Sequence, residues 1–440
     1  MRILYAALLF MMMLMGAPAA LAAPQISVGL VTGQFTAELA SETDFTAQTV
    51  VNGSVRKEFL FKAGSYYFNA ANGSVNADGQ EFGNVVLRIK ADGVNPVKVN
   101  KKTYRGNIEV MLAPDRKNLI VRNVLPVDEY LYSVVGRTVP VYFPDEAIKA
   151  QAVAMRSYAL WLAENNNYYY DVRYYYDVRA GEKDYVYSGT DMEKSDINKL
   201  IDSTRGEVVL YGGRPAMALF TESSGGYTED SADVYGGVFP KPYLKSVKDY
   251  DSDAPDYKWE RSFDAQNISS GLLRGGYDIG QIESIRLSPE KPGASDRTDT
   301  GRVINVGFAG SKGNIVVPAA VVRELFSLPS TLFEIEVTRP IPKQLDVPIE
   351  NYYGMEIGRK EIEIELKDKE KSENGIAGSI KLISGVDGEK VIFKGRGSGS
   401  GLGLSLWGAR QLANDEGNTP GYYKNILRYY YRNTVVTKIY

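Results

Sequence analysis

The sequence predicts an α+β protein, mainly antiparallel β with a few helices. Three observations predict it. From Ile26 to about Val121, apolar and polar residues alternate in short runs such as VVLRIKA and IEVMLA, and Asn72-Gly73 and Asp92-Gly93 punctuate them as tight turns. After Pro144, residues Ile148, Ala152, Met155, Ala159 and Leu162 recur at spacings of four and three, which lines one buried face of a helix. Further on, GRVINVGF reads as a strand, and VVRELFSLPSTLFEIEV reads as a helix followed by a strand.

The first residues have the form of an export signal. Arg2 supplies positive charge, residues 3–15 are apolar, and Ala20-Leu21-Ala22 offers small residues for cleavage, expected after Ala22 or Ala23. Gly16 and Pro18 interrupt the apolar run short of the roughly 20 residues a membrane-spanning helix needs. The mature chain is therefore expected outside the cytoplasm: secreted, periplasmic or associated with the cell wall. What remains is long enough for two or three domains of roughly 100–200 residues each.

The chain has no cysteine and no histidine, which removes disulfides, cysteine nucleophiles, histidine bases and nearly every zinc arrangement. Carboxylates and hydroxyls remain for chemistry. Serine with a lysine partner is compatible with the composition, and drift in one lineage explains the missing histidine equally well. A net charge of −3 offers no general attraction to DNA or RNA, so no nucleic-acid partner is expected.

Along the predicted helix, Lys149 and Arg156 border one side of the apolar stripe, with Gln151 and Tyr158 on the other. Such groups either frame a sugar groove or cap a core. Beyond the helix, YYYDVR occurs twice in tandem over residues 168–179 and fits a strand or hairpin arm; exposed tyrosine on a β surface accounts for it without sugar stacking. From Pro340 to about Glu389 the chain is charged, with KDKEKSENG as an exposed loop between two strands. The alternating glycines from Gly395 to Gly403 contain no G-x-G-x-x-G spacing and no following Gly-Lys-Ser/Thr, which argues against a phosphate loop.

Three separated segments carry a family resemblance. These are VLPVDEYLYSVVGRTVPVYFPDEAIKAQAVAMRSYAL over residues 124–160, ALFTESSGGYTEDSADVYGG over 218–237, and KGRGSGSGLGLSLWGARQLANDEG from Lys394. The chain resembles the stage II sporulation protein D and amidase-enhancer (SpoIID/LytB) family in all three, in the expected order. ISVGL near the start and YRGNIEVML from Tyr104 are similar to the family's lead-in strands. The implied organisation is a signal at 1–23, an N-terminal β-rich region at 24–100, and a SpoIID-like domain at 101–440 with an insertion at 340–390. A last helix is expected from Leu406 to Asn414.

The resemblance implies a peptidoglycan lytic transglycosylase, yet its reacting positions differ here. Family enzymes run V-V-P-S-E-M-P and use the glutamate as catalytic acid; this chain has Thr138 there. Thr221 and Ser400 stand in two histidine positions and Leu406 in a glutamine position. Arg179, Lys183 and Asp184 occupy positions where the family's cysteines and histidine hold a metal, and this set does not suit one. No cofactor and no metal are expected.

Proton delivery to a glycosidic oxygen suits a buried carboxylic acid, and general acid catalysis is typically worth about 10²–10⁴-fold. A threonine hydroxyl does not supply it. The leading expectation is therefore a catalytically degenerate protein that binds peptidoglycan glycan strands through Gln151, Arg156, Ser223, Ser224, Gly225 and Gly226, and that enhances a wall amidase or other hydrolase. An active enzyme with a displaced acid is the alternative, with Glu222 as first candidate and Glu129 and Glu146 behind it. Glu146 lies in the first turn of the helix, where the helix dipole is sufficient reason for a carboxylate, and Glu129 is expected to anchor the segment before a Thr138 loop. A purely structural envelope protein is the third class.

Overall fold

The computed structural model describes residues 22–91, 97–165, 175–181, 186–235, 240–290, 294–339, 344–363 and 380–440. Residues 1–21 of the expected signal segment, the Asp92-Gly93 turn, the first tyrosine repeat and the KDKEKSENG loop lie outside the described residues. Among the described residues, mostly antiparallel sheets and eight helices make it α+β, as expected. The helices are α1 (Val127–Thr138), α2 (Asp145–Asn165), α3 (Ser195–Ser203), α4 (Ser231–Val234), α5 (Ala265–Arg274), α6 (Ala319–Leu325), α7 (Leu406–Asp415) and α8 (Tyr423–Tyr430). Among the described residues no helix is long and apolar enough to cross a membrane. The chain divides into two compact units: unit 1 comprises residues up to Leu219 together with Ala409–Tyr440, and unit 2 is Phe220–Gly408.

Unit 1 begins with the alternating segment, which forms a seven-stranded and a six-stranded sheet. Strand Gln25–Gln34 lies between Leu119–Pro126, to which it is antiparallel, and the short Val178–Arg179, to which it is parallel. Strands from before and after position 100 thus share one sheet. Ala71 pairs with Ser74 across Asn72 and Gly73, whose φ angles of 54° and 69° suit a two-residue type I′ hairpin. The second copy of the tyrosine repeat is tied to the same sheet, because Asp177 Oδ2 accepts from both the backbone N–H and the hydroxyl of Ser27 at 2.7 Å.

Helix α2 opens where expected, with Ala147 and Ile148 donating to the carbonyl of Pro144 at 3.0 and 3.2 Å. Ile148, Ala152, Met155, Ala159 and Leu162 are all buried. So are Glu146, Gln151, Arg156, Ser157 and Tyr158, because α2 packs against α1, α3, α8 and strand Glu207–Tyr211. The polar flanks therefore lie inside the unit; a helix enclosed on several sides has no open polar face. The terminal ILRYYYR segment is a further helix, α8, beyond the one expected to be last. Its tail returns as strand Val435–Lys438 beside Glu207–Tyr211.

Unit 2 contains a three-stranded antiparallel sheet of Lys258–Phe263, Lys390–Arg396 and Phe333–Thr338, and a four-stranded sheet that includes Asn305–Gly310. Its core joins Trp259, Ile268, Phe308, Phe326, Phe333 and Phe393 with helices α5 and α6. The helix-then-strand reading of residues 321–337 corresponds to α6 and Phe333–Thr338. Within 340–390 the described strands are the hairpin Gln344–Glu350 and Glu356–Glu363, followed by Ile380–Leu382. Phe220–Thr221 pairs in parallel with Leu404–Ser405, which joins the SSGG turn to the glycine-rich segment.

Candidate functional site

In unit 1, Thr138, the residue that the resemblance sets in place of a catalytic acid, is the last residue of α1, and not in a loop. Thr138 is half-buried, and its Oγ1 donates to the carbonyl of Val134 at 2.7 Å, one turn back along the same helix. Glu129 occupies the first turn of that helix, about 13 Å away along its axis at 1.5 Å per residue. Partial burial raises the pKa of its carboxyl, Arg105 opposes that shift and Glu193 adds to it. Glu193 is itself gripped by Arg105 through two bonds of 2.7 and 2.8 Å.

Arg156 is a core residue. Its Nε donates to Asp128 Oδ1 at 2.8 Å, and its two other nitrogens reach the carbonyls of Glu207 and Ile201 at 3.1 and 3.2 Å and the hydroxyl of Thr204. Every guanidinium nitrogen is occupied within the protein, which removes Arg156 from the set of ligand-facing groups. Glu146 is likewise a clamp: it accepts from Lys149 Nζ at 2.8 Å and from the backbone N–H of Tyr423 at 2.9 Å, tying α2 to α8. Tyr158 stacks on Trp161 with ring centroids 5.9 Å apart.

Gln151 differs from these neighbours on α2. It is fully buried, and neither Nε2 nor Oε1 has a hydrogen-bond partner. A buried amide without partners costs about 1–3 kcal/mol. Among the residues expected to bind, it is the one in unit 1 that keeps unused hydrogen-bonding capacity.

In unit 2 the structure brings Ser223, Ser224 and Gly225 together around two carboxylates that the sequence reading did not select. Ser223 Oγ donates to Asp251 Oδ2 at 2.6 Å, Ser224 Oγ donates to Asp249 Oδ2 at 2.6 Å, and the Gly225 N–H donates to Asp251 Oδ2 at 2.8 Å. Both serines are fully buried. The turn thus holds an internal anion with the donors expected to meet a sugar. Gly226 is half-buried with φ near +109°.

Arg302 completes this centre from beneath. Its fully buried guanidinium donates to the carbonyls of Ser224 at 2.6 Å and Gly399 at 3.2 Å, and its Nε lies 3.1 Å from Glu229 Oε1 without an aligned hydrogen bond. Glu229 also accepts from Thr300, while its Oε2 has no partner. Burial raises the pKa of Glu229, with Arg302 opposing, and burial lowers the pKa of Arg302, with Glu229 opposing. The available signal for Glu229 was its place just after the SSGG turn, in one of the three segments that carry the resemblance. Asp249, Asp251 and Arg302 carry no such local pattern.

The unit 2 residues that the resemblance sets in histidine and glutamine positions are taken up by local packing. Thr221 Oγ1 donates to the carbonyl of Ser398 at 2.8 Å and accepts from the Gly401 N–H at 3.3 Å. Ser400 accepts from the N–H of Leu402 at 3.3 Å, and Leu406 is buried at the start of α7. Glu222 is exposed, and its Oε2 accepts from Ser398 Oγ at 2.8 Å. The glycines serve close approach: a Cβ at Gly397, where φ is +73°, would lie 2.7 Å from the Ser223 carbonyl, and one at Gly401 would lie 2.5 Å from Arg302 Nε. Of the positions tied to a metal by resemblance, Arg179 ends an edge strand, and Lys183 and Asp184 lie outside the described residues.

Comparison with known proteins agrees with the motifs. Residues 115–211, spanning α1 to α3 and strand Glu207–Tyr211, match the SpoIID family, described as Stage II sporulation protein. An uncharacterised protein of Brachyspira hyodysenteriae is 24% identical over 76% of this chain and 72% of its own length. The Amidase enhancer of Bacillus subtilis is 23% identical over 91% of this chain and 54% of its own length. Stage II sporulation protein D of the same organism is 31% identical over 38% of this chain and 51% of its own. The chain therefore spans about half the length of each of these two named relatives.

Proposed function

We propose that this chain, which belongs to the SpoIID/LytB family, acts at the bacterial cell wall outside the cytoplasm as a catalytically degenerate protein that binds peptidoglycan glycan strands and enhances a separate wall hydrolase. The observation that carries this reading is the state of Thr138. At the position of the family acid stands a hydroxyl that donates a hydrogen bond to the Val134 carbonyl of its own helix. Lytic transglycosylation needs an acid to protonate the bridging oxygen while the muramic acid 6-hydroxyl closes an anhydro ring, and a threonine hydroxyl does not ionise near neutral pH.

The name Amidase enhancer borne by one relative is compatible with stimulation of a partner enzyme without cleavage. Loss of the reacting group with retention of the scaffold is the pattern a binding descendant leaves.

The test is digestion of purified sacculi by the mature protein, read by mass spectrometry for 1,6-anhydro-muropeptides, beside a sacculus pull-down. Wild type is expected to bind and to release no anhydro products, and Thr138→Glu is expected to gain them. Products from wild type that vanish in Glu222→Gln would assign cleavage to a relocated acid and overturn the degenerate reading. Failure to bind sacculi at any ionic strength would sink the glycan-binding role.

A further inference from the structure

We infer that one face of the three-stranded sheet in unit 2 is a binding site for a short zwitterionic peptide, and that its ligand at the wall is the peptide side chain of peptidoglycan. The identity of that ligand rests on the proposed function; the preference for a zwitterion rests on geometry. A cleft of about 530 Å³ opens over strands Lys258–Phe263, Lys390–Arg396 and Phe333–Thr338.

Strand register arranges its charges in rows. Lys258 pairs with Arg396, and Glu260 pairs with Lys394, which faces Glu334 on its other side. Residues two apart on one strand share a face and lie about 7 Å apart. The first row sets two cations side by side, an arrangement that destabilises a sheet unless an anion joins it. Arg396 is met by Glu290 at 2.6 Å, whereas Lys258 has no ion-pair partner among the described residues.

The second row has the opposite imbalance. Lys394 is drawn diagonally to Glu336 at 2.6 Å, so Glu260 has no cation within ion-pair distance among the described residues. Glu334 is fixed by the buried Arg297 at 2.9 Å and by the Glu290 N–H at 2.7 Å, both on Oε1, and Oε2 takes neither bond. One unpaired cation thus stands about 7 Å from carboxylate capacity, the reach of about two residues of extended chain. A ligand carboxylate on Lys258 with its ammonium at Glu260 and Glu334 satisfies both rows. A purely anionic ligand would meet the four carboxylates of the cleft, and a neutral sugar would leave both rows unbalanced.

Peptide side chains of the wall polymer carry free carboxylates and amines, which matches the two rows. The test uses the full mature chain and calorimetry with three probes: a synthetic stem tripeptide with free termini, the same peptide acetylated and amidated, and glycan strands stripped of peptide by an amidase. The free peptide should bind and weaken with salt, and the blocked peptide should not bind. Lys258→Ala and Glu260→Ala should each lower peptide affinity roughly tenfold, with stripped glycan bound as by wild type. Both residues are exposed, and thermal melts confirm the fold of each variant.

A free peptide that does not bind, that binds both variants unchanged, or that binds no better than its blocked form overturns the site. Peptide binding without any binding of stripped glycan upholds the site while removing the glycan role proposed above. Glycan binding without peptide binding does the reverse.

Discussion

Ser223 Oγ donates to Asp251 Oδ2 over 2.6 Å, and both residues are buried. Asp251 fills the turn formed by Ser223, Ser224 and Gly225 as a bound anion would. The turn is held in shape by the protein's own carboxylate, so its first role is to position the glycine-rich segment. Asp251→Ala leaves the Ser223 hydroxyl and the Gly225 N–H without their acceptor. The expected loss is about 2–4 kcal/mol of unit 2 stability, read by urea unfolding, and a near-neutral result would show that water replaces the carboxylate.

Arg156 and Asp128 form the corresponding buried pair of unit 1. Truncating the arginine leaves a buried carboxylate whose remaining contacts are Arg205 at 3.5 Å and the Tyr440 hydroxyl at 3.1 Å. Arg156→Ala is expected to destabilise by about 3–5 kcal/mol, with sacculus binding per folded molecule unchanged. Lost binding with an unaltered melt would return Arg156 to the ligand-facing set.

Gly397 tests the packing of strand against turn. Alanine there meets both a φ of +73° and the Ser223 carbonyl, so Gly397→Ala should cost about 1–3 kcal/mol. Gly212, where φ is +58° and no atom lies within 4 Å of an added Cβ, is the control. Alanine at Gly212 should cost less, by about the clash term alone. Equal losses in chemical denaturation would show that conformation, and not close approach, selects glycine at 397.

Glu229 gives a pH dependence with a definite sign. Burial raises its folded pKa above the ordinary 4.5, with Arg302 opposing, so the folded protein holds this proton more tightly than the unfolded chain does. The stabilising contribution is complete below pH 4.5 and is lost as pH rises through the folded pKa. The stability difference between wild type and Glu229→Gln should therefore fall with rising pH across that window. A difference that grows with pH would mean that the ion pair with Arg302 outweighs burial.

The N-terminal sheets were legible where one face of a strand is buried and the other is not, which writes a period of two into residues such as those of Thr36–Ser41. Helix α2 was legible from its apolar stripe, but its full enclosure was not. Periodicity marks one buried face; the burial of Gln151 and Arg156 on the flanks depends on where α1, α3 and α8 lie. Helix α8 was missed because its tyrosine-rich sequence reads equally well as a strand until Glu146 fixes the N–H of Tyr423.

By itself the sequence determined the α+β class, the order of the three segments that carry the resemblance, and the presence of Thr138, Thr221, Ser400 and Leu406 where that resemblance leads one to expect an acid, two histidines and a glutamine. Those are properties of residue type and local spacing. Only the tertiary structure decided that Arg156, Ser223 and Ser224 engage carboxylates of their own unit, that Arg302 joins turn to glycine-rich segment, and that Lys258 and Glu260 are left unpaired on a sheet face. Each of these depends on partners 25 to 138 positions away in the chain. Electrostatic and hydrogen-bond satisfaction is set by distance in space, which no local pattern of residues encodes.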